Sequence, residues 1–126
     1  MSEDRYANGY PIKLVRDHIG ERLGGDGTLT YEQIADEAEH VALLRRKLIE
    51  EAAEYLTNPT VNELADVLEV VWSLAAVDLR APFEAVEARA KHKRTERGGF
   101  KRGMMMIGHH EADGRDLLPR TGGAAA

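Results

Sequence analysis

The feature that most restricts this chain is a break, Asn58-Pro59, set between two long stretches of helical periodicity. From about Asp36 to Leu56 apolar residues recur at helical spacing, and they do so again from Pro59 to about Leu79. Proline disfavours a helical residue before it and has no N–H to donate, yet it suits a helix's first turn. One helix therefore ends there and another begins. So short a connection predicts two neighbouring helices folded back as an antiparallel hairpin.

The rest is arranged around that hairpin. Residues 1–11 read as a loose, polar lead-in, and Ile12 to Leu23 as a short helix stopped by Gly24-Gly25-Asp26-Gly27. Thr28 to Ile34 leans towards a strand. Pro82 opens a third long helix that ends at Gly98-Gly99, and Phe100 to Ile107 reads as a second short strand able to pair with Thr28 to Ile34. The expected fold is an all-α helical bundle built on the hairpin, with room for a minor two-stranded β element. The expected domain spans residues 12–110, followed by a disordered tail over 111–126.

Composition narrows the function classes. The 126 residues suit one domain, and 43% hydrophobic with 31% charged residues describes a globular chain. There is no cysteine, so disulfides and thiolate-bound metals are excluded, which fits a reducing cytoplasm. Met1-Ser2-Glu3-Asp4 lacks the opening of a signal peptide, and the apolar run Val70 to Val77 is too short to span a bilayer. A net charge of −5 argues against a general nucleic-acid binder.

The chemistry is concentrated in Glu50-Glu51-Ala52-Ala53-Glu54 and Glu63-Leu64-Ala65-Asp66. By helical phase Glu63 falls within the apolar face made by Val67, Val70, Val71 and Leu74, with Asp66 at its edge. Carboxylates are seldom placed on such a face unless something cationic compensates them. Folding the chain about Asn58-Pro59 sets Glu54 level with Glu63, and Glu51 level with Asp66. The members of each motif, three residues apart, share a helix face. Four converging carboxylates would repel one another, and a divalent cation resolves the conflict. All-oxygen ligation favours Mg²⁺, with Mn²⁺ as a substitute, or Ca²⁺. A metal so held lets a polyphosphate approach an acidic site and can acidify a water, whose proton a carboxylate not fully used by metal would take. Glu50, further from the apolar stripe, is a candidate for that role. The structural reading of the same residues is Thr60-x-x-Glu63 as a capping box, and Glu50 and Glu54 as surface charge paired with Arg46 and Lys47.

Glu-Glu-x-x-Glu followed by Glu-x-x-Asp resembles the signature of the all-α NTP pyrophosphohydrolases, which include MazG-like proteins, dimeric dUTPases and phosphoribosyl-ATP pyrophosphohydrolases. Lys13-Leu14-Val15-Arg16-Asp17, Glu63 to Val70 and Glu96-Arg97-Gly98-Gly99-Phe100 are similar to the phosphoribosyl-ATP pyrophosphohydrolase-like, predicted house-cleaning branch. The likeness covers roughly residues 12–107. It departs at His18 and Gly20, where lysine and proline would stand, and in a short spacer between the acidic motifs. The resemblance implies Mg²⁺-dependent cleavage of a nucleotide to a monophosphate and pyrophosphate. It also implies a bundle completed as a homodimer or homotetramer. Glu51, Glu54, Glu63 and Asp66 would be the metal ligands, and Glu50, Glu51 and Glu54 the catalytic carboxylates.

Lys13, Arg16, Lys47, Arg97 and Lys101 are candidate phosphate contacts, since arginine offers a fork to phosphate oxygens and lysine a point charge. The basic stretch Arg89 to Arg102 has no interleaved aromatic except Phe100, which weighs against nucleic acid. Two other readings compete. A di-iron carboxylate protein needs two Glu-x-x-His pairs, and only Glu37/His40 is present. A non-catalytic helical dimerisation or partner-binding module would use the acids as caps and surface charge.

Overall fold

The computed structural model describes residues 6–7, 10–20 and 30–108. Their regular structure is helical apart from one small two-stranded element. β1 (Tyr6–Ala7) pairs antiparallel with β2 (Tyr10–Pro11), Tyr6 opposite Pro11 and Ala7 opposite Tyr10. A short α1 (Asp17–Gly20) follows, then α2 (Glu37–Thr57), α3 (Val61–Val77) and α4 (Phe83–Arg97). By contacts the chain falls into two units, residues 1–87 and 88–126.

The helix ends follow local chemistry. Glu37 and Glu39 occupy the first turn of α2, where the unpaired N–H groups favour negative charge. The helix closes with Asn58 N–H on the Glu54 carbonyl, ahead of Pro59. α3 begins two residues beyond the proline because Thr60 is its N-cap, in extended conformation, and the Thr60 hydroxyl accepts from Glu63 N–H at 3.1 Å. At the far end Arg80 adopts a left-handed φ of 52°, uncommon for a residue with a Cβ, and Ala81 N–H reaches back to the Ala75 carbonyl at 2.8 Å. Pro82 offers its carbonyl to Ala85 N–H, which starts α4. α4 ends at Gly98, whose φ of +82° suits glycine and whose N–H returns to the Arg94 carbonyl.

α2 packs on α3. Among the described residues Leu44 on α2 and Val70 and Ala75 on α3 are the buried apolar ones, with Val41, Leu48, Val67, Val71 and Leu74 half-buried. That face recurs at three- and four-residue spacing along α3, which gives α3 an apolar side to pack on α2. Val61, Leu64, Leu68 and Trp72 lie on the other side of α3 and are exposed, with the Trp72 ring 5.7 Å from that of Phe83.

Three expectations are corrected. Residues 30–36 and 103–108 form no strand, so the pairing of Thr28 to Ile34 with Phe100 to Ile107 is absent among the described residues. The β element lies instead at Tyr6–Ala7 and Tyr10–Pro11, inside the stretch read as a loose lead-in, and residues 28 and 29 lie outside the described residues. β propensity in a short segment has weight only when a partner edge is within reach. The expected helix from Ile12 is confined to Asp17–Gly20 over the described part, because Ile12 to Arg16 run irregularly. Residues 21–23 and the tail from Glu111 lie outside the described residues.

Candidate metal centre

Glu51, Glu63 and Asp66 each present a carboxylate oxygen, and the three oxygens lie within 4.8 Å of one another. Glu51 comes from the last third of α2. Glu63 and Asp66 are one turn apart at the start of α3. Thr60 sets where α3 begins, and so places both acids on the face that also carries Val67 and Val70. Glu51 is only 7% exposed, which is unusual for a glutamate; Glu63 and Asp66 are half-buried. Thr60 and Glu63 form half of a capping box, since the Glu63 carboxylate makes no return hydrogen bond among the described residues and remains with the cluster. The three residues could hold a metal ion, through oxygen donors alone.

Two cations border the group. Lys47 Nζ lies 3.3 Å from Glu51 Oε2 and 3.5 Å from Glu50 Oε1. Arg16 Nη2 donates to Asp66 Oδ1 at 2.6 Å. Glu50 is half-buried beside the cluster and also lies 4.0 Å from Arg46 Nε. Three clustered carboxylates thus meet two cations, and one of these is shared with Glu50.

The other expected residues fall as follows. Glu54 stands outside the three-residue group and is exposed, one turn after Glu51 and near the end of α2. Its carbonyl, not its carboxylate, does local work by closing the helix on Asn58. Lys13 is exposed and without an ion-pair partner among the described residues. Arg16 and Lys47 are brought to the carboxylates. Arg97 and Lys101 belong to the second unit, Arg97 as the last residue of α4 and Lys101 in the turn after it, and both are exposed. Met104 to Met106, within the stretch expected to form a strand, are exposed and in no strand.

Sequence reasoning did not anticipate a second set of charges. Arg45 holds Asp78 through two hydrogen bonds, Nε to Oδ2 at 2.8 Å and Nη2 to Oδ1 at 2.9 Å, and Arg80 donates to Glu37. The hydrogen bonds from Arg45 hold the Asp78 carboxyl below the usual carboxylate range. A signal existed: α3 contains no lysine or arginine, so an acid at its C-terminal end needed a cation from another element. An open hollow of about 450 Å³ lies here, lined by these four residues with Val41 and Val77. Its charged groups are already matched to one another, which makes it a poor site for a charged ligand.

Among the described residues no helix is long and apolar enough to cross a membrane. No family model matches the chain, and no curated protein or solved structure does either.

Proposed function

We propose that this protein is a Mg²⁺-dependent nucleotide pyrophosphohydrolase of the all-α, MazG-like kind, acting in the cytoplasm. The observation that carries the reading is the approach of Glu51, Glu63 and Asp66 to within 4.8 Å, with Glu51 withdrawn from solvent. Three clustered carboxylates with two bordering cations form an electrostatic deficit that a small divalent ion fills, and an all-oxygen donor set suits Mg²⁺ or Mn²⁺. The motif order in the sequence supports the same reaction class.

The hairpin belongs to this reading. A three-residue connection between α2 and α3, together with the pairs Glu37–Arg80, Arg45–Asp78 and Glu51–Asp66, supports an antiparallel arrangement. The exposed stripe Val61, Leu64, Leu68 and Trp72 supports completion of the bundle by further copies of the chain.

A bound divalent ion would supply the positive charge that admits a polyphosphate and stabilises charge developing on phosphorus. Glu51, Glu63 and Asp66 would hold it. Glu50, beside the cluster, would accept the proton of an attacking water, with Lys47 Nζ 3.5 Å from its carboxylate to orient it. Arg16 and Lys47 are the cations nearest the cluster, and they are the first groups an incoming phosphate would meet.

The test is a nucleotide panel with Mg²⁺, scored for pyrophosphate against orthophosphate. Pyrophosphate release that stops on chelation is the expected result. If the full panel gives none, and thermal stability gains nothing from Mg²⁺ plus nucleotide, the chain is a non-catalytic helical module instead.

A further inference from the structure

The charge on this chain is segregated. From Arg89 to Arg102 seven lysines and arginines stand against one glutamate, Glu96, a local balance of +6. The total is −5, so the remainder carries −11. An acidic chain could have consumed such a stretch in ion pairs. Among the described residues it does not: Arg89, Lys91, Lys93, Arg94 and Arg97 pair with no carboxylate, and Glu96 is engaged by His92 at 3.4 Å. α4 has no buried residue, and every residue from Glu87 to Ile107 is exposed.

The absence of an apolar side narrows the partner. Between Ala88 and Arg97 the only apolar residues are Ala88 and Ala90. A bilayer surface or an apolar protein groove would have no face to hold. From Ala88 to its end the helix is charged all round, with Arg89, Lys93 and Arg97 four residues apart on one side, about 6 Å of rise between successive members. Three residues beyond Arg97 stands Phe100, 99% exposed, with Lys101 and Arg102 directly after it. A row of unpaired cations ending at a fully exposed aromatic ring matches what a single strand of nucleic acid offers: regularly spaced phosphates and an unstacked base.

We propose that the later part of α4 and the turn after it, residues 89–102, bind single-stranded nucleic acid, with Arg89, Lys93 and Arg97 on the phosphates and Phe100 stacked on a base. The stretch includes Arg97 and Lys101, expected from the sequence as contacts for a nucleotide's phosphates, but the pyrophosphohydrolase reading stands on Glu51, Glu63 and Asp66 and does not require it; the unpaired cations and the full exposure of Phe100 outweigh the lack of further aromatics. The overall negative charge opposes long-range attraction, so binding is local and strongest at low salt.

The experiment is fluorescence anisotropy of the full chain with a labelled 20-nucleotide oligothymidylate and a duplex of equal length, from 50 to 300 mM NaCl. Three phosphate contacts predict a log–log salt slope of about −2 for the single strand. R89Q/K93Q should weaken binding about tenfold or more at low salt and reduce the slope by about 1.4. F100A should weaken it about tenfold with the slope unchanged. Circular dichroism checks that both variants keep their helices. Binding that is absent at 50 mM NaCl, or equal in wild type and R89Q/K93Q, overturns the proposal. So does full competition by a mononucleotide triphosphate, which would make the surface part of a nucleotide site. A low-salt assembly of the chain alone, lost in R89Q/K93Q and unaffected by oligonucleotide, would show that the cations serve an acidic protein surface and would equally overturn it.

Discussion

The α2–α3 pair carries charge at both ends, and the two ends differ in arithmetic. Where Arg45 meets Asp78 and Arg80 meets Glu37, each acid has its own arginine. Where Glu51, Glu63 and Asp66 gather, three acids meet Arg16 and a Lys47 shared with Glu50. The residue types are the same. A matched end is a latch, because its charges cancel without help. An unmatched end, with one glutamate nearly buried, costs free energy until a cation arrives. Excess of one charge sign in a confined space therefore marks the candidate site better than the presence of charge does.

Substitution at the unmatched end is expected to give the largest effect. Glu51→Gln and Asp66→Asn should each lower Mg²⁺-dependent pyrophosphate release by about 10²-fold or more, since each removes a charged metal donor. The thermal stabilisation given by Mg²⁺ in wild type should disappear in both. Glu37→Gln, at the matched end, should leave both readouts unchanged. If it lowers activity as much as Asp66→Asn, the contrast between the ends has no meaning.

Next comes the packing that joins the ends. Leu44 is 4% exposed beside Arg45, and Leu44→Ala should destabilise by about 3 kcal/mol in denaturant unfolding. A loss below that of removing either surface ion pair would show that α2 and α3 are held by charge rather than by their apolar faces.

Thr60→Ala should cost about 1 kcal/mol through the lost N-cap. Its sharper consequence falls on the unmatched end, because the cap sets the first turn from which Glu63 projects. Calorimetric Mg²⁺ affinity should fall in Thr60→Ala, whereas Thr60→Ser should restore it.

The smallest effect concerns pH at the matched end. Asp78 has a depressed pKa in the folded chain, so its contribution is fully present above the unfolded value of about 3.9 and is lost as pH falls through the lower folded value. Acid unfolding of wild type should therefore be steeper below pH 4 than that of Arg45→Ala, while the two curves run parallel above pH 5. Parallel curves throughout would mean that the Arg45–Asp78 pair does not contribute in solution.

Legibility followed sequence distance. α2, α3 and α4 were readable because periodicity, Pro59, Thr60, Pro82 and Gly98 act within a few residues of where they stand. Glu63 and Asp66 could be placed on one face for the same reason, and Glu51 lies within 4.8 Å of both. Glu54 shows where this fails: a one-turn shift along α2 is invisible to helical phase, yet it moves a carboxylate from the cluster to the helix end. The strand reading of Thr28 to Ile34 failed likewise, since a strand is defined by a partner that local propensity does not specify.

By itself, then, the amino-acid order determined three long helices, roughly where they begin and end, and which acids share a face, because backbone hydrogen bonds and steric preferences are local. Tertiary structure decided which charges are cancelled. Arg45 went to Asp78 and Arg16 to Asp66, three acids were left to two cations, and the basic row on α4 was left without partners among the described residues. Pairing depends on distances between groups far apart in the chain, and only packing sets those.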